Sequence, residues 1–285
     1  MVKRGLDIVF SAALLCLSLP IVALSALIIR ISSPGPVFFR QERMGRGFRP
    51  FKILKLRTMA HVDAGLAYTL GPDPRITPFG RLLRRTKVDE LPQLWNVLRG
   101  EMSLVGPRPV VPELTTEFHV HYVLLLRARP GLTDPASLKY SQEARLLATS
   151  GDPMHFFKTV VTPDKIEISL EYMESANLWT DLVTLGMTSL ICCLPSLSHV
   201  YGRLPRPVVS VPRPKANLAS ELVSEVRRNT TWALDQSLFS HALAELEASE
   251  EIDAPNPYIP WNHLHIPETG TESPIRNSNR SASRL

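Results

Sequence analysis

Residues 87–109 read KVDELPQLWNVLRGEMSLVGPRP. Two acids, Asp89 and Glu90, stand side by side at the head of an apolar run, and Arg108 is held between two prolines at its close. Leu91, Leu94, Trp95 and Leu98 recur at i, i+3, i+4 and i+7, the spacing of one helix face. Pro92 suits a first helical turn, where a missing N–H costs nothing, and Gly100 suits the helix end. The acids therefore sit at or just before a helix N-terminus, where the helix dipole favours negative charge. An isolated Asp-Glu pair in that place is ordinarily a cap. The surroundings point to chemistry instead.

Across residues 30–109, fifteen Lys and Arg face six Asp and Glu, about +9, whereas the whole 285-residue chain carries +5. Such a concentration attracts an anionic partner: phosphates, a lipid surface or nucleic acid. Nucleic acid is disfavoured, because no aromatic interleaving and no nucleic-acid module accompanies the charge. Neighbouring carboxylates repel, so one of them holds a proton or the pair recruits a cation. A carboxylate is a weak nucleophile and works best on phosphorus activated by Mg²⁺ and flanking Arg or Lys. Lys55, Arg57, Arg75, Arg84, Arg85 and Arg108 are the candidate cations. Guanidinium forks match phosphate geometry, and the Pro-Arg-Pro segment keeps Arg108 on a stiff loop. The plainer readings are a loop salt bridge for Arg108 and a solvated strand face for Lys55 and Arg57. His61, His119 and His121 show no metal-ligand spacing. Cys16, Cys192 and Cys193 form neither a ligand set nor a disulfide framework, which fits a reducing compartment.

Residues 8–29, IVFSAALLCLSLPIVALSALII, are almost wholly apolar. As a helix they extend about 33 Å, enough for a bilayer core. Three readings stand open: a cleaved signal peptide ending near the ALSA at 23–26, a spanning anchor, and a re-entrant helix. Basic residues flank both ends, Lys3 and Arg4 before and Arg30, Arg40, Arg43 and Arg46 after. The positive-inside tendency draws both ends to the cytoplasm. A single span does not satisfy that; a helix broken at Pro20 does.

SSPGP at 32–36 is a turn, and 37–40 a short strand. RMGRGF at 43–48 has the glycine spacing of a hairpin turn. Residues 50–59 read as a strand with Phe51, Ile53 and Leu56 opposed to a basic face of Lys52, Lys55 and Arg57. Residues 60–70 are a loop or helix. Phe79, Leu82 and Leu83 line one face of a short basic helix. Further helices are expected over 113–126, 162–177 and 178–194, the last either interfacial or packed in a core, with a turn-rich loop at 128–140. RLPRPVVSVPRPK after residue 201 is a proline-rich linker. Two amphipathic helices, 216–228 and 233–249, and a tail of disordered composition follow.

KRGLDIVFSAALL, GPVFFRQERMGRGFRPFKILKLRTM, DPRITPFGRLLRRTKVDELPQLWNVLRGEMSLVGPRP and RPGLT, in that order, resemble the bacterial sugar transferase family. These are the monotopic phosphoglycosyl transferases, and the resemblance runs from about residue 3 to 194. It implies transfer of a phosphosugar from a UDP-sugar to polyprenyl (undecaprenyl) phosphate, with polyprenyl-diphosphate sugar and UMP as products. It implies an aspartyl phosphosugar intermediate, Mg²⁺, and a place at the start of surface glycan or glycoconjugate synthesis. By the same resemblance Asp89 is the nucleophile and a metal ligand, and Glu90 is its partner. Lys55, Arg57 and Arg108 match basic residues of the family's blocks, and Arg75, Arg84 and Lys139 complete the expected phosphate-binding set. Pro20 corresponds to the kink of a re-entrant helix on the bacterial inner membrane, with the catalytic domain on the cytoplasmic face. Many members continue the RPGLT loop with Gly-Trp-Gln-Val; here it runs RPGLTDPASLKYSQEARLL, with Lys139 and Arg145 the only nearby cations.

The expected fold class is α+β. A re-entrant membrane helix (1–32) precedes a small, mostly helical catalytic domain (33–201) with a short β-hairpin and amphipathic interfacial helices. A proline-rich, partly disordered extension (202–285) follows. Membrane lipid, a second copy of the chain and later glycosyltransferases are the further expected partners. The alternative is a catalytically inactive, membrane-tethered scaffold acting through its C-terminal tail.

Overall fold

α1 (Val2–Ser32) is a single helix of 31 residues. This computed structural model describes residues 2–60 and 73–194. His61, most of the 60–70 segment, the domain boundary at 201/202, the linker, the two expected tail helices and the tail itself lie outside the described residues. α1 is long and apolar enough to cross a membrane. Its buried residues, Asp7, Ser11, Ser18, Ser25 and Ile29, recur at intervals of three to four residues or multiples of them, and so share one side. The opposite side exposes large apolar groups, among them Leu17, Leu24 and Ile31. The helix does not end at Pro20: helical backbone continues through it. Proline removes one backbone hydrogen bond but its fixed φ remains helical.

Both ends of α1 grip the same folded body. In its first turns Lys3 pairs with Asp181, and Arg4 donates to the carbonyls of Val97 (2.8 Å) and Leu98 (3.1 Å). Asp7 accepts from Ser103 Oγ (2.9 Å) and Leu104 N–H (3.1 Å). At the far end Ile29 packs with Leu56 and Leu83. Arg57 clasps the turn that follows, donating to the carbonyls of Pro34 and Ser33 and to Ser33 Oγ.

β1 (Phe38–Met44) and β2 (Pro50–Leu56) form the expected hairpin, with β1 longer than the four residues expected. They pair antiparallel from Phe38↔Leu56 to Met44↔Pro50 around a 3₁₀ turn, Arg46–Phe48, in which Gly47 takes φ 65°. β2 does not have one basic face. Lys55 shares the side of Phe51 and Ile53, and Leu56 turns to the other, as period-two alternation requires. That phase brings an ammonium group to the edge of a core made by Phe51, Ile53, Leu94, Val97, Met102 and Leu104. Each such fully buried side chain contributes about 1.5–3 kcal/mol.

α2 (Pro78–Thr86) begins at Thr77, whose Oγ1 accepts from Gly80 N–H, with Pro78 at the first turn. Leu83 is buried as expected, but Leu82 stays 53% exposed. Lys87 then takes the left-handed conformation (φ 58°), costing about 1–2 kcal/mol for a residue with a side chain. It turns the chain sharply into a 3₁₀ helix, Val88–Gln93, and then α3 (Leu94–Arg99), closed by Gly100 at φ 83°. The buried face of α3 is Leu94, Asn96 and Val97, so Trp95 is exposed rather than part of the stripe. Asn96 ties α3 to β2, accepting from Leu54 N–H and donating to the Lys52 carbonyl.

A second sheet, which sequence reasoning missed, pairs β3 (Ser103–Val105) with β4 (Gly131–Thr133) in parallel. A Cβ on Gly131 would lie 2.2 Å from the Gly106 nitrogen, so only glycine permits this approach of two loops. α4 (Pro112–Glu117) and α5 (His119–Leu125) replace the one helix expected over 113–126. α6 (Pro135–Lys139), α7 (Glu143–Ala148), α8 (Pro153–Phe156) and a π-helical turn (Phe157–Val161) lead into α9 (Thr162–Ser175). α10 (Leu178–Cys193) starts with an Asn177–Thr180 capping box. It buries Asp181, Thr184 and Ile191 and exposes Trp179, Leu182, Val183 and Leu190, so it is both a packed helix and an apolar surface.

Candidate active site

The Pro-Arg-Pro loop is anchored at successive carbonyls. Gly131 N–H donates to Pro107, the Arg43 guanidinium to Pro109, and Met44 N–H to Val110. Arg108 therefore projects from a fixed platform. Its guanidinium donates to Glu90 Oε1 at 2.8 Å, and Lys55 Nζ reaches the same oxygen at 2.8 Å. Strand β2, the 3₁₀ helix and the loop thus meet at one carboxylate.

The two acids are not equivalent. Glu90 spends its charge on two cations, whereas Asp89 is 6% exposed and its Oδ1 has no hydrogen-bond partner among the described residues. Burial and then the neighbouring Glu90 charge push the Asp89 carboxyl above its ordinary range, against Lys55, Lys87 and Arg84. For Glu90, burial acts upward, but Arg108, Lys55 and Lys87 outweigh it and hold the carboxyl well below the usual value. Burial lowers Lys55, with Glu90 opposing. Glu90 lifts Arg108 above an ordinary guanidinium. Glu90 is thus the fixed anion of the pair, and the Asp89 carboxyl is set apart from it in acidity.

Both acids open on a cavity of about 770 Å³. The expected cations divide around it. Lys55, Arg57, Arg75, Arg84 and Arg108 all line it. Arg84 also donates to Thr58 Oγ1 at 2.9 Å, and Arg75 is paired with Asp73. Arg57 has both terminal nitrogens engaged at Ser33 and Pro34, so it holds the exit of α1. Lys139 is not among the lining residues; it pairs with Asp164 on α9. Lys165, one α9 turn from Thr162, is the lysine of this region that lines the cavity.

Sequence reasoning also missed Arg43, Tyr140 and Phe157. Arg43 lines the cavity, and burial first, then Arg108, lowers its guanidinium to about 10. Strand alternation after Gln41 would have found it; nothing local announces Tyr140 or Phe157. Among the described residues no group of three or more His, Cys, Asp or Glu could hold a metal alone. Asp89, whose Oδ1 has no partner among the described residues, lines a basic cavity with room for a diphosphate, and its carboxylate fits a Mg²⁺ ion whose other ligands would be substrate phosphates and water.

A bacterial sugar transferase family profile matches residues 1–194. The chain is 41% identical over 185 residues to a UDP-glucose:undecaprenyl-phosphate glucose-1-phosphate transferase of Caulobacter vibrioides, covering 63% of this chain and 65% of that one. It is 46% identical over 120 residues to a putative undecaprenyl-phosphate N-acetylgalactosaminyl 1-phosphate transferase of Bacillus subtilis, covering 41% and 66%. It is 33% identical over 216 residues to the exopolysaccharide production protein ExoY of Rhizobium meliloti, covering 70% and 88%. The chain thus spans just under two thirds of the first two relatives.

Proposed function

The chain belongs to the bacterial sugar transferase family, and on that premise we propose that it moves a sugar phosphate from a UDP-sugar to undecaprenyl phosphate. The observation that carries the proposal is the division of labour at residues 89 and 90. One acid is locked between Lys55 and Arg108; the other lines the basic cavity, with an Oδ1 that has no partner among the described residues. Nothing in that cluster favours the non-catalytic scaffold.

An Asp89 oxygen attacks the phosphorus that bears the sugar. The bond from that phosphorus to the bridging oxygen breaks, and its electron pair leaves with UMP. A phosphate oxygen of the lipid then attacks the same phosphorus and expels the Asp89 carboxylate, giving the polyprenyl-diphosphate sugar. Glu90 keeps Lys55 and Arg108 aimed at the equatorial phosphate oxygens, where charge spreads in the transition state. Arg84 and Lys87 add positive field around Asp89. Mg²⁺, held by Asp89 and the diphosphate, would neutralise phosphate charge. The expected result is UMP release that needs both the UDP-sugar and undecaprenyl phosphate, together with a sugar-phosphate adduct on the peptide containing Asp89 when donor alone is supplied. UMP released with no adduct on that peptide would refute the covalent route.

The membrane end supports a re-entrant α1 at the cytoplasmic face of the bacterial inner membrane. Lys3, Arg4 and Asp7 bind residues of the folded body, and so do Ile29 and Ser33 at the other end. Cysteines placed at Val2 and Ser33, with the three native cysteines replaced, should both react only from the cytoplasmic side. Labelling of position 2 from outside would instead establish a span.

A further inference from the structure

The cavity is larger than the phosphates need, and its lining falls into two parts. Phe39, Thr58, Met59, Arg75 and Arg84 stand where α1 gives way to the hairpin and α2. The surface there is apolar: Ile31, Phe38, Phe39 and Leu82 are all more than one third exposed. The second part comes from α6, the start of α7, the π-helical turn and α9. Arg108 stands between them; its charge is felt first by Glu90 and also by Asp134 and Glu143.

The two-step reaction, on which this inference rests, assigns these parts. Displacement at phosphorus is in line. The lipid phosphate must therefore approach opposite the Asp89–phosphorus bond, through the space that UMP has left. Its lipid chain requires that space to meet the apolar surface, which is the part near Phe39 and Leu82. The sugar, retained on phosphorus through both steps, is left with the other part.

That part is built for a polyhydroxyl ring. Ser137 Oγ, Ser141 Oγ and Thr162 Oγ1 are buried there without a hydrogen-bond partner among the described residues, and Thr162 is 3% exposed. The π turn brings Phe157 and Thr162, five residues apart, onto one wall, which Ile166 and Ser169 continue at α-helical spacing. Lys165 lies over the rings of Tyr140 (5.2 Å) and Phe157 (5.8 Å) and pairs with Glu143 at 2.6 Å. Buried hydroxyls can each donate and accept, as a pyranose requires. We propose that Ser137, Tyr140, Ser141, Phe157, Thr162 and Lys165 form the pocket for the donor's pyranose ring, and that its three unpartnered hydroxyls select which sugar is transferred.

The test measures kcat/KM for UDP-glucose, UDP-galactose, UDP-N-acetylglucosamine and UDP-N-acetylgalactosamine with undecaprenyl phosphate. The full chain is compared with its Ser141→Ala and Thr162→Val variants, and inhibition by UMP is measured for each. Loss of one neutral hydrogen bond should lower kcat/KM for the preferred donor by about 3- to 10-fold relative to its epimer, with UMP inhibition unchanged. Unchanged ratios among the four donors would overturn the pocket, and weaker UMP inhibition alongside them would assign this wall to the nucleoside. Ser141 is half-buried, so its variant carries the test if Thr162→Val fails to fold. Wild-type silence towards every donor would instead remove the proposed function itself.

Discussion

Asp89→Asn should abolish UMP release, by at least about 10³-fold, while raising the melting temperature at pH 7. The first effect is loss of the nucleophile. The second follows from where the acid sits. Its folded acidity is displaced upward, first by burial and then by Glu90. The native state therefore binds the Asp89 proton more tightly than the unfolded chain does. The stability this confers is complete below the ordinary carboxylate range and is lost as pH rises through the displaced value. At neutral pH burying this carboxyl costs stability relative to the unfolded chain, and a neutral amide of the same shape removes that cost. The gain over wild type should shrink as pH falls to about 4, near the unfolded carboxyl value. Thermal melts of both proteins across that range, beside the UMP assay, are the measurement. A variant that melts lower than wild type at pH 7 would contradict the assigned asymmetry.

Glu90→Gln should do the reverse to stability. Lys55 and Arg108 both rest on Glu90 Oε1, and a neutral amide leaves two partly buried cations facing one another. Removing one partner of a fully buried pair costs about 3–5 kcal/mol. The Arg108 side chain keeps 39% exposure, so solvent screening reduces this to about 1–3 kcal/mol. The rate should fall by about 10²- to 10³-fold, because the cations that meet the phosphate lose their alignment. The pH profile separates this from simple unfolding. Glu90 helps to raise Asp89, so its neutralisation should move the acidic limb of the rate profile to lower pH. An unmoved limb would mean that Asp89 does not sense its neighbour.

What the sequence made legible was local. The Asp-Glu pair, Pro92 and Gly100 could be read because a helix start and stop are written in adjacent residues. The hairpin was legible for the same reason, through RMGRGF. Phase was harder. Phe51, Ile53 and Leu56 look like one apolar face, but a strand puts Leu56 opposite the other two, and Lys55 rides in with the core. Trp95 looks like part of a stripe, yet Asn96 is the residue α3 buries, because the hairpin's backbone needs its amide. Partners far apart along the chain were not legible at all. β3 and β4 have three residues each, too few for a periodic signal, and the Gly106–Gly131 approach exists only in three dimensions. Lys139 and Lys165 are each an isolated cation in the sequence. Only the packing of α6 on α9 decides that Asp164 takes the first and the cavity the second.

The grip of the first turns of α1 on distant residues bears on how the protein is made. Lys3 meets Asp181, 178 positions later, and Asp7 meets Ser103 and Leu104. A ribosome adding about 5–20 residues each second delivers Asp181 roughly 10–40 s after Lys3. For much of that interval α1 is complete while the groups that hold its first turns do not yet exist. Its polar seam must wait among lipids or chaperones until α10 fastens it.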